Sequence, residues 1–221
     1  MIPLRDVIPS RTVPYLTVSI IILNALAWFY ELGLPREDLP VFLQQFGVVP
    51  AYFAPPTLIS SMFLHGSWSH VLGNMWYLWI FGDNVEDRVG HGRFIAFYLL
   101  CGIVAALGHV AMDPTSILPT IGASGAIAGV MGGYFVLYPQ SRVLTLVPLI
   151  IYFEIIELPA VVLLGFWFIM QLFSAGAIAV TANASSGGIA FVAHVAGFVA
   201  GLLGVFVFQK RRRSREWWAE Q

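Results

Sequence analysis

Long apolar runs separated by short polar connections set the pattern of this chain. Six such runs fall at roughly residues 13–31, 69–84, 93–112, 120–138, 158–178 and 188–208. A helix needs about 20 mostly apolar residues to cross a bilayer, so each run predicts one membrane-spanning helix. The second is the least uniform, because it carries His70 and Asn74. The stretch 143–157 is also apolar, but Pro148, Glu154 and Glu157 argue against a crossing. A carboxylate at mid-depth costs about 2.5–3.5 kcal/mol on insertion scales, so this stretch is expected to be a connection lying in the interface. The long connection 32–68 is rich in Leu, Val, Phe and Pro. It is expected to be membrane-associated, with short amphipathic pieces on the outer leaflet. The pattern predicts an all-α membrane protein: a six-transmembrane-helix bundle forming a single domain over 1–221, with short tails at about 1–12 and 209–221.

Composition supports the membrane class. Of 221 residues, 58% are hydrophobic and 10% charged, against about 25% charged in soluble domains. A net charge of −1 indicates no nucleic-acid surface, and Cys101, the only cysteine, excludes an internal disulfide or a cysteine-based zinc site. The first apolar run is too long for a signal-peptide core and lacks a small-residue cleavage site. Six crossings put Arg5, Arg11, Arg88, Arg93, Arg142 and the Lys210–Arg215 cluster on one face, which is ten of the eleven Lys and Arg residues; Arg36 alone lies on the other. The positive-inside rule then places both termini in the cytoplasm, with the basic tail as an anchor.

Polar residues inside the runs carry the candidate chemistry. Runs 2, 4 and 6 share one direction, from outside to inside. His70, Ser124 and His194 fall near their outer ends, each within roughly 10 Å of the outer edge of its run at about 1.5 Å per residue. Asn74 lies one turn deeper, on the face of His70. Gly125, Gly129 and Gly133 repeat at a spacing of four, as do Ala193, Gly197 and Gly201. Small residues at that spacing let two membrane helices approach closely, and Ser124 and His194 border the seam. A serine hydroxyl becomes a nucleophile when a base takes its proton, so the placement predicts a Ser124–His194 dyad. No acid lies at that depth to make a triad; Asp113, in the loop before run 4, is a remote possibility. His70, Asn74 and unused N–H groups at the start of run 4 are the expected donors to a developing oxyanion. Histidines 65, 70, 109 and 194 lack a His-Glu-x-x-His pattern, and neither an acid nor a cysteine is expected at their layer, so no metal site is expected. A transporter with a midplane site fits poorly, because the polar groups sit near one edge and no inverted repeat is visible.

These residues fall into motifs that resemble the rhomboid intramembrane serine proteases in their compact six-helix bacterial form. The motifs are His65-Gly66-Ser67-Trp68-Ser69-His70 with Asn74, Gly122-Ala123-Ser124-Gly125, and Ala193-His194-Val195-Ala196-Gly197 with Gly201. The resemblance implies a serine endopeptidase that cuts transmembrane or juxtamembrane segments of membrane proteins. Ser124 matches its nucleophile, His194 its base, and His70 and Asn74 its oxyanion-supporting side chains. It implies no metal or nucleotide cofactor, membrane-protein substrates within lipid, and a multi-pass position in the cell membrane with the site open to the outer side. Some members stack an aromatic ring on the base from four residues after the serine; here that position is Ala128. The Trp-Arg pair some members carry in the first outer loop is absent from 32–68. Phe166, Trp167 and Phe168 in run 5 fit a lipid-facing role as well as a site-lining one. The alternative is a non-catalytic relative that binds membrane clients; such relatives typically lose the serine or the histidine, and both are present here.

Overall fold

The computed structural model describes residues 1–149, 152–181 and 188–209. In chain order the elements are β1 (Ile2–Asp6), α1 (Tyr15–Gly33), α2 (Leu39–Phe46), α3 (Thr57–Ser60), α4 (Trp68–Val89), α5 (His91–Met112), α6 (Ser124–Leu137), β2 (Arg142–Leu149), β3 (Tyr152–Pro159), α7 (Ala160–Thr181) and α8 (Gly188–Phe208). A helix therefore occupies each of the six apolar runs. Among the described residues, α1, α5 and the Phe191–Phe208 part of α8 are long and apolar enough to cross a membrane. Their outward faces are oily: Leu26, Phe29, Leu203 and Phe206 are each about 60% exposed, as expected of helices solvated by lipid rather than water. The connection after α1 folds into α2, α3 and two 3₁₀ turns, Pro50–Tyr52 and Ser61–Phe63. The basic cluster Lys210–Arg215 lies outside the described residues.

The fold is not all-α. The stretch expected to be an interfacial connection is a hairpin, β2 and β3, and β1 joins it to make an antiparallel sheet in the order β1-β2-β3. Leu149 pairs with Tyr152 at the tip and Arg142 with Pro159 at the base. Alternate residues of β2, Val143 and Thr145, are fully buried, which is the period-2 signature of a strand with one inward face. Pro148, which argued against a membrane crossing, is tolerated in the strand because β1 pairs only with residues 143–146 of β2. The prolyl nitrogen thus lies beyond the part of β2 that β1 covers, where a missing N–H breaks no bond to it.

Side chains at one end of the helices fix how they start. No side chain of its own caps α1. The Glu86 carboxyl group, fully buried on α4, accepts hydrogen bonds from the N–H groups of Leu16 (3.0 Å) and Thr17 (2.8 Å) and from the Thr17 hydroxyl (2.7 Å). It supplies the acceptors that a helix N-terminus requires, and so locks α1 onto α4. At the same end, Asp6 of β1 accepts from Asn84 Nδ2 of α4 (2.8 Å) and from the Tyr134 hydroxyl of α6 (2.7 Å).

The centre of the molecule is the crossing of α6 and α8, with α5 packed against both. A methyl group added at Gly197 would overlap the carbonyl oxygen of Gly125, and one at Gly201 that of Gly129. The two glycine faces therefore meet backbone to backbone, the close approach that small residues permit.

Candidate active site

Each group of the candidate site is delivered by a local device. Ser67 caps α4: its backbone is extended (φ −166°, ψ 162°) and its hydroxyl accepts from the N–H of His70 at 3.2 Å. That cap puts His70 in the first turn and Asn74 one turn later on the same face. Ser124 is the first residue of α6, where helix geometry leaves the leading N–H groups without intrahelical acceptors. The segment before it is pinned at several points. Val48 and Thr120 exchange backbone hydrogen bonds of 3.0 and 2.8 Å, His109 Nε2 meets the Thr120 hydroxyl at 2.6 Å, and the Gly122 N–H donates to the Ser61 carbonyl at 2.8 Å. His109 thus ties the end of α5 to this segment. Gly122 has φ +123°, and a Cβ there would lie 2.7 Å from His70 Nε2. Both the backbone and the neighbouring ring call for glycine.

Helix α8 brings His194 to this point. Its Nε2 lies 2.7 Å from Ser124 Oγ, within hydrogen-bond range. Its Nδ1 lies 2.9 Å from Oε1 of Gln171 on α7. Trp167, one turn earlier on α7, lies beside the same ring, tilted by 38° at a centroid distance of 6.0 Å. Ser124, His194, His70 and Asn74 all line one cavity of about 370 Å³, together with Trp167 and Met131. The four side chains singled out in the sequence are brought together.

Other polar groups have partners of their own. His65 is buried, and its Nε2 accepts from Asn74 Nδ2 at 3.0 Å; its ring lies edge-on to His70 at 5.0 Å. Contrary to the expectation of no acid at the histidine layer, Glu31 is buried there at 3% exposure. Its carboxyl oxygens accept from the His65 main-chain N–H at 3.2 and 3.3 Å, which spends it on backbone. Asp113 accepts from the Thr115 hydroxyl at 3.1 Å. Gln171 was legible as an amide in an otherwise apolar run, one turn from Trp167, and polar side chains at membrane depth ask for an explanation. Among the described residues no group of three or more His, Cys, Asp or Glu converges as a metal site would require.

A helical membrane protein that holds a hydrogen-bonded serine and histidine inside a cavity is the class that fold and site define. The family profile described as Rhomboid domain matches residues 55–211, and the chain belongs to the rhomboid family, whose members are generally intramembrane serine proteases. It is similar to Rhomboid protein 1, mitochondrial, of Saccharomyces cerevisiae, at 32% identity over 95 residues, or 41% of this chain and 28% of that protein. It is similar to Rhomboid protease GluP of Bacillus subtilis, at 34% over 85 residues, or 38% and 16%. The human presenilin-associated rhomboid-like protein, mitochondrial, is 35% identical over 91 residues, or 39% and 23%. The chain spans less than a third of the length of each of these three relatives.

Proposed function

We propose that the chain is an intramembrane serine endopeptidase acting through a Ser124–His194 dyad on transmembrane or juxtamembrane segments of other membrane proteins. The observation that carries this reading is the 2.7 Å contact between His194 Nε2 and Ser124 Oγ, inside the cavity that His70 and Asn74 also line. His194 takes the proton as Ser124 Oγ attacks the scissile carbonyl carbon. The carbonyl oxygen becomes an oxyanion, met by N–H groups at the start of α6, by Asn74 Nδ2 and by the His70 ring. The intermediate collapses, the C–N bond breaks, and His194 passes its proton to the departing amine. An ester on Ser124 remains. Water then enters, gives its proton to His194 and attacks the ester carbonyl. The C–O bond to Ser124 breaks, and Ser124 recovers its proton as the acid is released.

On this reading the six helices α1, α4, α5, α6, α7 and α8 cross the membrane, with both chain ends on the cytoplasmic side and the cavity towards the outer face. That is the arrangement in which the Arg-rich connections stay inside. The test is cleavage of a panel of single-span substrates by the purified protein in liposomes, with cut sites mapped by mass spectrometry. Ser124→Ala and His194→Ala are each expected to abolish cleavage; in soluble serine proteases such losses reach about 10⁶-fold in kcat. Cleavage that survives Ser124→Ala would sink the mechanism. A wild type that binds these substrates without cutting them, and does not react with a fluorophosphonate, would instead mark a client-binding protein.

A further inference from the structure

From Ala160 to Phe173, α7 carries one amide among apolar side chains, Gln171. Its Oε1 faces His194 Nδ1 at 2.9 Å. An amide oxygen only accepts, so Nδ1 must carry the proton, and in the neutral ring the lone pair then sits on Nε2. That lone pair faces Ser124 Oγ at 2.7 Å. The other tautomer would aim an N–H at the serine and could not accept its proton. Helix α6 offers the ring little help: one turn beyond Ser124 the side chain is Ala128, a single buried methyl group. Of the two aromatic rings beside the imidazole, Trp167 comes from α7 as well, and Phe191 lies edge-on at 6.4 Å from α8 itself.

We propose, resting on the protease reading above, that Gln171 is the positioning residue of the site: it fixes the tautomer and the orientation of His194. It takes the orienting role that a carboxylate plays in a triad without placing a second ionisable group in a part-buried site. The base is thereby held from α7, while the serine it serves stands on α6. Displacing α7 from the cavity withdraws the orienting bond along with the wall of the site.

The experiment uses the full chain in nanodiscs and compares wild type with Gln171→Met, which keeps length but loses the acceptor, and Gln171→Glu, which keeps an acceptor oxygen at the same reach. Imidazole ¹⁵N shifts, assigned by the signal missing in His194→Gln, read the tautomer; steady-state cleavage of a single-span substrate reads kcat and KM. Wild type and Gln171→Glu are expected to hold His194 in the Nδ1–H form. Gln171→Met is expected to show a mixture, with kcat lower by about 10- to 100-fold, the scale of a misaligned catalytic group, and KM within twofold. A single unchanged tautomer in Gln171→Met, or wild-type kcat, would overturn the inference; so would a loss shared by a large rise in KM, which marks a deformed cavity. A wild type that cuts nothing and ignores a fluorophosphonate fails the protease reading instead, and the tautomer signal then still decides what Gln171 does.

Discussion

The α6–α8 crossing makes the sharpest demand on sequence, and Gly197→Ala tests it. The added Cβ meets the Gly125 carbonyl oxygen and, at 3.0 Å, its carbonyl carbon. These are backbone atoms, so no rotamer change relieves the overlap and the helices must part by about 1 Å; overpacking of this kind typically costs about 1–3 kcal/mol. His194 lies less than one turn before Gly197, and Ser124 is adjacent to Gly125. The 2.7 Å bond between them therefore lengthens with the crossing, beyond the roughly 3.2 Å at which such bonds fade. Misplacement of that size costs on the order of 100-fold in rate. Gly204→Ala on the same helix is the control, since its Cβ would make only ordinary contact with Phe97 at 3.5 Å. The assay is the cleavage rate in liposomes together with the second-order rate of fluorophosphonate labelling, each set against the thermal midpoint in detergent. Gly197→Ala is expected to lose both activities and several degrees, and Gly204→Ala neither. If Gly197→Ala labelled and cleaved like wild type, the argument that this seam sets the Ser124–His194 distance would be refuted.

Two further outcomes follow from positions away from that seam. Gly122→Ala strains a backbone at φ +123° and pushes on His70 Nε2 at 2.7 Å. Strain of that kind costs about 1–3 kcal/mol, and the expected readout is a fall in kcat of at least about tenfold as the His70 ring leaves the cavity, measured at a temperature where circular dichroism shows the variant folded. The second concerns Asp6, whose carboxyl is pushed up from 3.8 to about 6 by burial, with the Tyr134 hydroxyl opposing and Asp83 adding to the rise. The folded chain therefore holds this proton to higher pH than the unfolded chain does, so stability is fuller below about pH 4 and falls as pH rises towards 6. Asp6→Asn keeps an acceptor for Tyr134 and is expected to flatten the thermal midpoint between pH 4 and 6 relative to wild type; parallel curves for the two proteins would show that Asp6 does not titrate in that window.

The helices were legible because lipid imposes one requirement, length of apolar run, that shows directly in the sequence. The α1 and α8 boundaries lie within two residues of the apolar runs that predicted them. The meeting of Ser124 with His194 was legible for a second reason: alternating direction gives each residue a depth, and glycines at a spacing of four say which faces touch. The sheet was not legible, because Val143, Thr145 and their neighbours are as apolar as a helix would be, and the partner that makes β2 a central strand is β1, more than a hundred residues earlier. Gln171 was passed over because its role depends on the rotation of α7 about its axis, and a run apolar on all sides does not reveal rotation. Glu31 was missed because its partner is a main-chain N–H, which leaves no trace in side-chain patterns.

The pairing of β1 with β2 also fixes an order of assembly. Residues 2–6 are synthesised well before residues 143–146, to which they bond. Until β2 emerges, the first strand has no sheet to join, while α1, α4, α5 and α6 are made. Contacts of such separation close late, because the loop entropy must be met before the bonds return it. When the strand does dock, Asp6 engages Asn84 and Tyr134 together, drawing α4 and α6 to one point. The helices that carry Asn74 and Ser124 are thus clasped from the far end by a segment that precedes both, once β2 is in place.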